Sequence, residues 1–115
     1  MEADTYCALK LWERLGLIRG VRLQDPVSFM TYLGYGKVPK TERYKIDFQF
    51  FHVELNTRAW CEAKGLRTNR WIRCEKLWRL EGPGPLWVIT SEHYARDGSI
   101  RLPIDPIWPN GRNDR

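Results

Sequence analysis

The chain has 115 residues, 43% of them hydrophobic, and carries 19 Lys and Arg against 14 Asp and Glu, a net charge of +5. That length suits one compact domain, and six Trp can bury enough area to hold it together. No window approaches the roughly 20 apolar residues of a membrane span, and the Met1-Glu-Ala-Asp4 start lacks the basic-then-apolar pattern of a signal peptide.

The protein is therefore expected to be soluble and cytoplasmic. Cys7, Cys61 and Cys74 contain no Cys-x-x-Cys pair, and His52 and His93 stand far apart. Neither a disulfide framework nor a structural zinc site is expected from them.

Ala3 to Leu15 reads as a helix, with Ala8, Leu11, Trp12 and Leu15 as its apolar stripe, Asp4 as N-cap and Gly16 as terminator. Val21 to Phe29 reads as an extended run, and Pro26 makes it an edge or bulged strand. Residues 33–42 read as a polar loop with two Gly and one Pro. Within it, Gly34 to Lys40 is either an ordinary connection or an extension reaching into a junction or groove. Arg43 to Phe51 is the clearest strand: Tyr44, Ile46, Phe48 and Phe50 alternate with Lys45, Asp47 and Gln49. After a turn over residues 52–56, Thr57 to Lys64 reads as a second strand that pairs with it as a hairpin.

Gly65 stops that strand, and Thr68 caps a helix running to about Glu81 with Trp71, Cys74, Leu77 and Trp78 as its stripe. Gly82-Pro-Gly-Pro85 breaks the helix. Leu86 to Thr90 is a short apolar run, as a buried strand after a crossover helix requires. Asp97-Gly98 suggests a small hairpin between His93-Tyr-Ala and Ile100-Arg-Leu, followed by a Pro-rich tail with Trp108 as its one large anchor. The order is helix, three strands, helix, strand. It predicts an α/β fold in which helices flank a mixed central sheet, with a core over residues 1–92 and a tail over 93–115 in the same domain.

Period two places Glu62 and Lys64 on one face of their strand. Asp47 lies on the polar face of the preceding one, opposite Tyr44, Ile46 and Phe48. Pairing of the two strands brings Asp47, Glu62 and Lys64 into one cleft. Two carboxylates and an ammonium suit phosphodiester hydrolysis. Hard oxygen ligands hold Mg²⁺ with several of its waters, the ion polarises phosphate and acidifies water, and a lysine beside it neutralises developing charge. A cross-strand ion pair on a solvated face is the plain alternative for Glu62 and Lys64.

Tyr44-Lys-Ile-Asp47-Phe, then Trp60-Cys-Glu62-Ala-Lys64-Gly65, then Thr68, a helix and Pro85-Leu-Trp-Val-Ile89 resemble the PD-(D/E)XK nuclease superfamily over roughly residues 1–90. Ile46 stands where that family often has Pro. The resemblance implies a restriction-endonuclease-like αβββαβ core. It implies that Asp47, Glu62 and the carbonyl of Ala63 ligate Mg²⁺, for which Mn²⁺ can substitute, and that Lys64 activates water. The small size resembles archaeal-type and phage Holliday junction resolvases, which add an acid from the first helix. Glu2, Asp4 and Glu13 are the candidates here, with Glu2 favoured.

The implied activity is a metal-dependent endonuclease cutting branched DNA in recombination or repair, in a bacterial, archaeal or phage-infected cell. It would act as a homodimer, because a four-way junction offers two symmetric cuts. The alternative is a nuclease-like DNA-binding subunit of a recombination or transposition complex. A small interaction protein, with Asp47 and Glu62 far apart, is the third reading. Arg67, Arg70, Arg73 and Lys76 follow the active-site strand and are candidates for phosphate contact, or else form a solvated helix face. Trp60 shares the face of Glu62 and Lys64, and lines the cleft or packs under the first helix.

Overall fold

The computed structural model describes residues 2–33, 38–93 and 105–109. The elements run α1 (Glu2–Arg14), β1 (Ile18–Leu33), β2 (Val38–His52), β3 (Thr57–Ala63), α2 (Asn69–Glu81) and β4 (Leu86–Ile89), followed by a 3-10 turn at Ser91–His93. The strands form one sheet in the order β1-β2-β3-β4. The first two pairings are antiparallel and β3–β4 is parallel, with α2 as the crossover. The sheet is mixed and carries two helices, the α/β arrangement expected. The expected hairpin around Asp97-Gly98 lies outside the described residues.

Two apolar clusters show how the sheet is covered. Trp71, Cys74, Leu77 and Trp78 of α2 pack with Val27, Phe29, Tyr44, Ile46, Trp60, Leu86 and Val88. Leu9 of α1 packs with Ile18, Phe48, Phe50, Ala59, Cys61 and Ile89, and Trp12 lies against them. Each fully buried aliphatic side chain, such as Leu9 or Ile46, contributes about 1.5–3 kcal/mol. The helices therefore lie against opposite faces of the sheet.

The helix ends follow local chemistry, with one correction. Thr68 caps α2 as expected, its hydroxyl accepting from Trp71 N at 3.2 Å. Gly16, with φ 80°, ends α1, and Leu17 N bonds Trp12 O at 3.0 Å across it. Asp4 is not the N-cap, because α1 already starts at Glu2. The buried stripe of α1 also differs: Thr5 and Leu9 are fully buried, whereas Leu11 and Leu15 are 49% and 63% exposed. Leu9 and Leu11 in the helix, with Leu15 just past its end, offer two overlapping stripes, and packing selects the one centred on Leu9.

The strands run longer than their apolar cores suggest. β1 reaches from Ile18 to Leu33 and is an edge strand, as Pro26 requires. β2 begins at Val38, so much of the expected loop over 33–42 belongs to a long ribbon. Its pairing with β1 shifts between Arg19 and Arg22, where Gly20 has φ 63°. On the far edge, Ile107 N and O exchange hydrogen bonds with Leu86 O and N at 2.7 and 3.0 Å. That bridge ties the tail to β4.

The break between α2 and β4 is held by Trp78, whose Nε1 donates to Gly84 O at 2.7 Å. A Cβ at residue 84 would stand 2.7 Å from Arg58 O. Only glycine lets the backbone pass there.

Candidate active site

The site is built where β2 and β3 stop pairing through their backbones. Their register runs from His52↔Thr57 to Phe48↔Cys61. One step further, Asp47 faces Glu62, and side chains take over the bonding. Asp47 N donates to Glu62 Oε1 at 2.9 Å, and Ala63 N donates to Asp47 Oδ2 at 2.9 Å. Each carboxylate thus satisfies a backbone donor of the opposite strand. The exchange fixes both acids and leaves their oxygens with further lone pairs.

A change of face in β2 delivers Asp47 to this point. Tyr44 and Ile46 pack on the α2 side, whereas Phe48 and Phe50 pack on the α1 side. Strict period two would keep all four on one face. The strand therefore shifts phase at Asp47. Opposite lies Gln24, between the pairs Leu23↔Phe48 and Asp25↔Ile46, with φ 54° in the left-handed region. The simple alternation read from the sequence, with Asp47 opposite a single apolar face, is corrected accordingly. Asp47 and Glu62 are both buried, at 9% and 4% exposure.

Lys64 Nζ lies 3.1 Å from Glu62 Oε2 and 4.7 Å from the centre of the Trp71 ring. Glu62 and Lys64 line a small recess whose walls include Tyr44, Thr68 and Trp71, with Lys45 and Arg70 at its border. Burial pushes the Glu62 carboxyl above its ordinary range, and the Asp47 charge adds to this. The Asp47 N–H and Lys64 act in the opposite direction. A buried acid pair with one lysine is short of positive charge, which a divalent cation would supply. Among the described residues no three His, Cys, Asp or Glu cluster as a metal site. Two carboxylates with a backbone carbonyl still match a hard cation that keeps waters.

The remaining expected residues are distributed as follows. Glu2 begins α1, and its side chain lies outside the described residues. Asp4 is exposed. Glu13 bonds Lys10 at 2.6 Å and Val21 N at 3.3 Å, at the Phe51 end of the sheet, far along β2 from Asp47. Arg67 pairs with buried Glu75 at 3.4 Å. Arg73 grips Glu42, its Nε at 2.7 Å. Arg70 donates to Arg43 O at 2.6 Å and lies over the Tyr44 ring at 4.5 Å. Lys76 is exposed on α2.

Trp60 neither lines a cleft nor packs under α1. It is buried edge-on to Trp78 under α2, and its Nε1 donates to Asp25 Oδ2 at 2.9 Å. The sequence reading missed the Tyr44 and Thr68 walls of the recess. Thr68 was legible only as a cap, and Tyr44 only as an apolar residue.

A separate apolar cavity lies beneath α1, among Leu9, Trp12, Phe50 and Trp87. It holds no acid and is not part of the site. Among the described residues, no helix is long and apolar enough to cross a membrane. Compared with known proteins, the chain matches no family model, no curated protein and no solved structure.

Proposed function

We propose that this protein is a metal-dependent DNA endonuclease of the PD-(D/E)XK type. The observation that carries the reading is the buried Asp47–Glu62 pair at the parting of two strands, with Lys64 3.1 Å from Glu62. Asp47, Glu62 and the Ala63 carbonyl would hold Mg²⁺, or Mn²⁺ in its place. When bound, the ion supplies charge to the scissile phosphate and an acidified water. Ala63 is drawn into position by its N–H bond to Asp47. Lys64 neutralises charge that builds on the phosphate and orients the attacking water. The low-polarity walls at Trp71 and Tyr44 limit screening, which strengthens each of these interactions.

We propose Glu2 as the acid of α1 that joins them. It precedes Tyr6 by one helical turn, and Tyr6 stacks on Phe48 beside Asp47, with ring centres 6.2 Å apart. Arg70 stands at the border of the recess and meets substrate phosphate there. Arg67 just before α2, with Arg73 and Lys76 on it, adds positive potential, and the two arginines are also paired to acids.

The proposed substrate is branched DNA, a four-way junction above all, cut by a homodimer whose two-fold axis matches that of the junction. A cleavage assay on a synthetic four-way junction, beside duplex and single-stranded controls, tests the activity. The intact chain is expected to cut the junction only with Mg²⁺ or Mn²⁺. Asp47→Ala and Glu62→Ala are expected to lose at least about a hundredfold in rate while still binding. Binding without metal-dependent cutting would instead favour a nuclease-like subunit of a larger complex. Sedimentation velocity addresses the dimer, which is expected at twice 13.7 kDa. A purely monomeric species on junction DNA would contradict it.

A further inference from the structure

The β1–β2 ribbon is covered on one face and bare on the other. On the covered face Val27, Phe29, Tyr44 and Ile46 pack against α2. On the other face Pro26, Ser28 and Met30 of β1 stand opposite Lys45, Arg43 and Thr41 of β2, and all six are exposed. α1 packs around Phe48 and Phe50 and leaves this stretch open. The ribbon continues past the last β2–β3 pair as a two-stranded arm to Leu33↔Val38. The molecule is accordingly long, with extents of 51 × 29 × 26 Å and a radius of gyration of 15.0 Å, against about 13 Å for a compact domain of about 100 residues.

The charge on this face has one sign. Among the described residues Arg43 and Lys45 are its only ionisable groups, because the neighbouring acid, Glu42, projects to the other face and bonds Tyr44 and Arg73. Lys45 also borders the recess that contains Glu62 and Lys64. Along β2, Lys45 and Arg43 lie about 7 and 14 Å from Asp47 at about 3.4 Å per residue. That distance spans a few phosphates of a DNA strand, at about 3.4 Å of axis each. The small opposing residues, Pro26 and Ser28, leave the approach unobstructed. A second copy of this face would bring four cations together. A polyanion fits it instead. A two-stranded β-ribbon is also narrow enough for the major groove of B-DNA.

We propose that this bare ribbon face is a second DNA-binding surface, which holds duplex flanking the cut site through Arg43 and Lys45. The choice of DNA as the polyanion rests on the nuclease reading above.

The test measures binding without chemistry. The full chain, kept metal-free with chelator, is titrated onto a short fluorescein-labelled duplex by anisotropy, between about 50 and 200 mM salt. R43A/K45A is expected to bind about tenfold more weakly and to flatten the log–log salt slope by about 2, one for each phosphate contact. R43K/K45R is expected to restore the slope. R14A/R19A removes the same charge from the opposite end of the molecule and is expected to leave it unchanged. Circular dichroism confirms that each variant is folded.

An unchanged slope in R43A/K45A overturns the proposal, and so does an intact chain that binds no duplex. Equal losses in R14A/R19A overturn it too, since they would reflect net charge alone. If the slope falls as expected but no metal-dependent cutting is found, the nuclease reading fails and the binding face stands.

Discussion

Glu62 is held between opposing influences. Burial and the Asp47 charge push its carboxyl upward, whereas Lys64 and the Asp47 N–H favour the ionised form. The upward influences prevail, so the folded protein holds the neutral acid more readily than the unfolded chain does. The stability tied to Glu62 is complete below its ordinary 4.5 and is lost as pH rises through the higher folded value. At neutral pH the ionised side chain burdens the fold. Metal-free Glu62→Gln is therefore expected to melt a few degrees above the wild type at neutral pH, with the gap closing as pH falls toward 4.5. Thermal denaturation across that pH range checks this, and a variant less stable at neutral pH would contradict it. Glu62 and Lys64 were legible in the sequence because they stand two positions apart on the expected strand. The burial of Glu62 was not, since an acid on an alternating strand reads as solvent-facing.

At the level of elements, the decisive feature is the change of face in β2. The alternation of Tyr44, Ile46, Phe48 and Phe50 correctly marks a strand, and it hides the phase shift at Asp47, because all four residues are apolar on either side. The matching irregularity in β1 is at Gln24, which lies opposite Asp47 and whose left-handed φ of 54° nothing in the local sequence announces. A left-handed backbone costs a β-branched residue about 1–2 kcal/mol more than it costs Gly. Gln24→Val is expected to be about 1–2 kcal/mol less stable than Gln24→Gly in urea denaturation and to lower cleavage by displacing Asp47. Gln24→Gly is expected to retain cleavage. Equal activity in the two variants would detach the kink from the site. Helix α2 shows the opposite case. Its cap Thr68 and its stripe Trp71, Cys74, Leu77 and Trp78 were legible in full, because a single apolar stripe admits one orientation. In α1, two competing stripes admitted two.

Across the whole molecule, the sheet order places the acids where β2 and β3 part, between the α2-covered face and the bare ribbon. The order of elements was readable from periodicity and turn residues. The ribbon's length was not, since Val38 to Glu42 carry loop-like composition and become strand only by pairing with β1. The return of Ile107 to β4 was equally hidden, because a single bridge leaves no periodic trace. What the arrangement must do, if it is an engine for phosphodiester cleavage, is hold one divalent cation between Asp47 and Glu62. Electron paramagnetic resonance of Mn²⁺ titrated onto the metal-free protein measures this directly. One tightly bound ion per chain is expected, lost in both Asp47→Asn and Glu62→Gln. A wild-type chain that binds none, or an Asp47→Asn variant that binds as well as the wild type, would contradict the account.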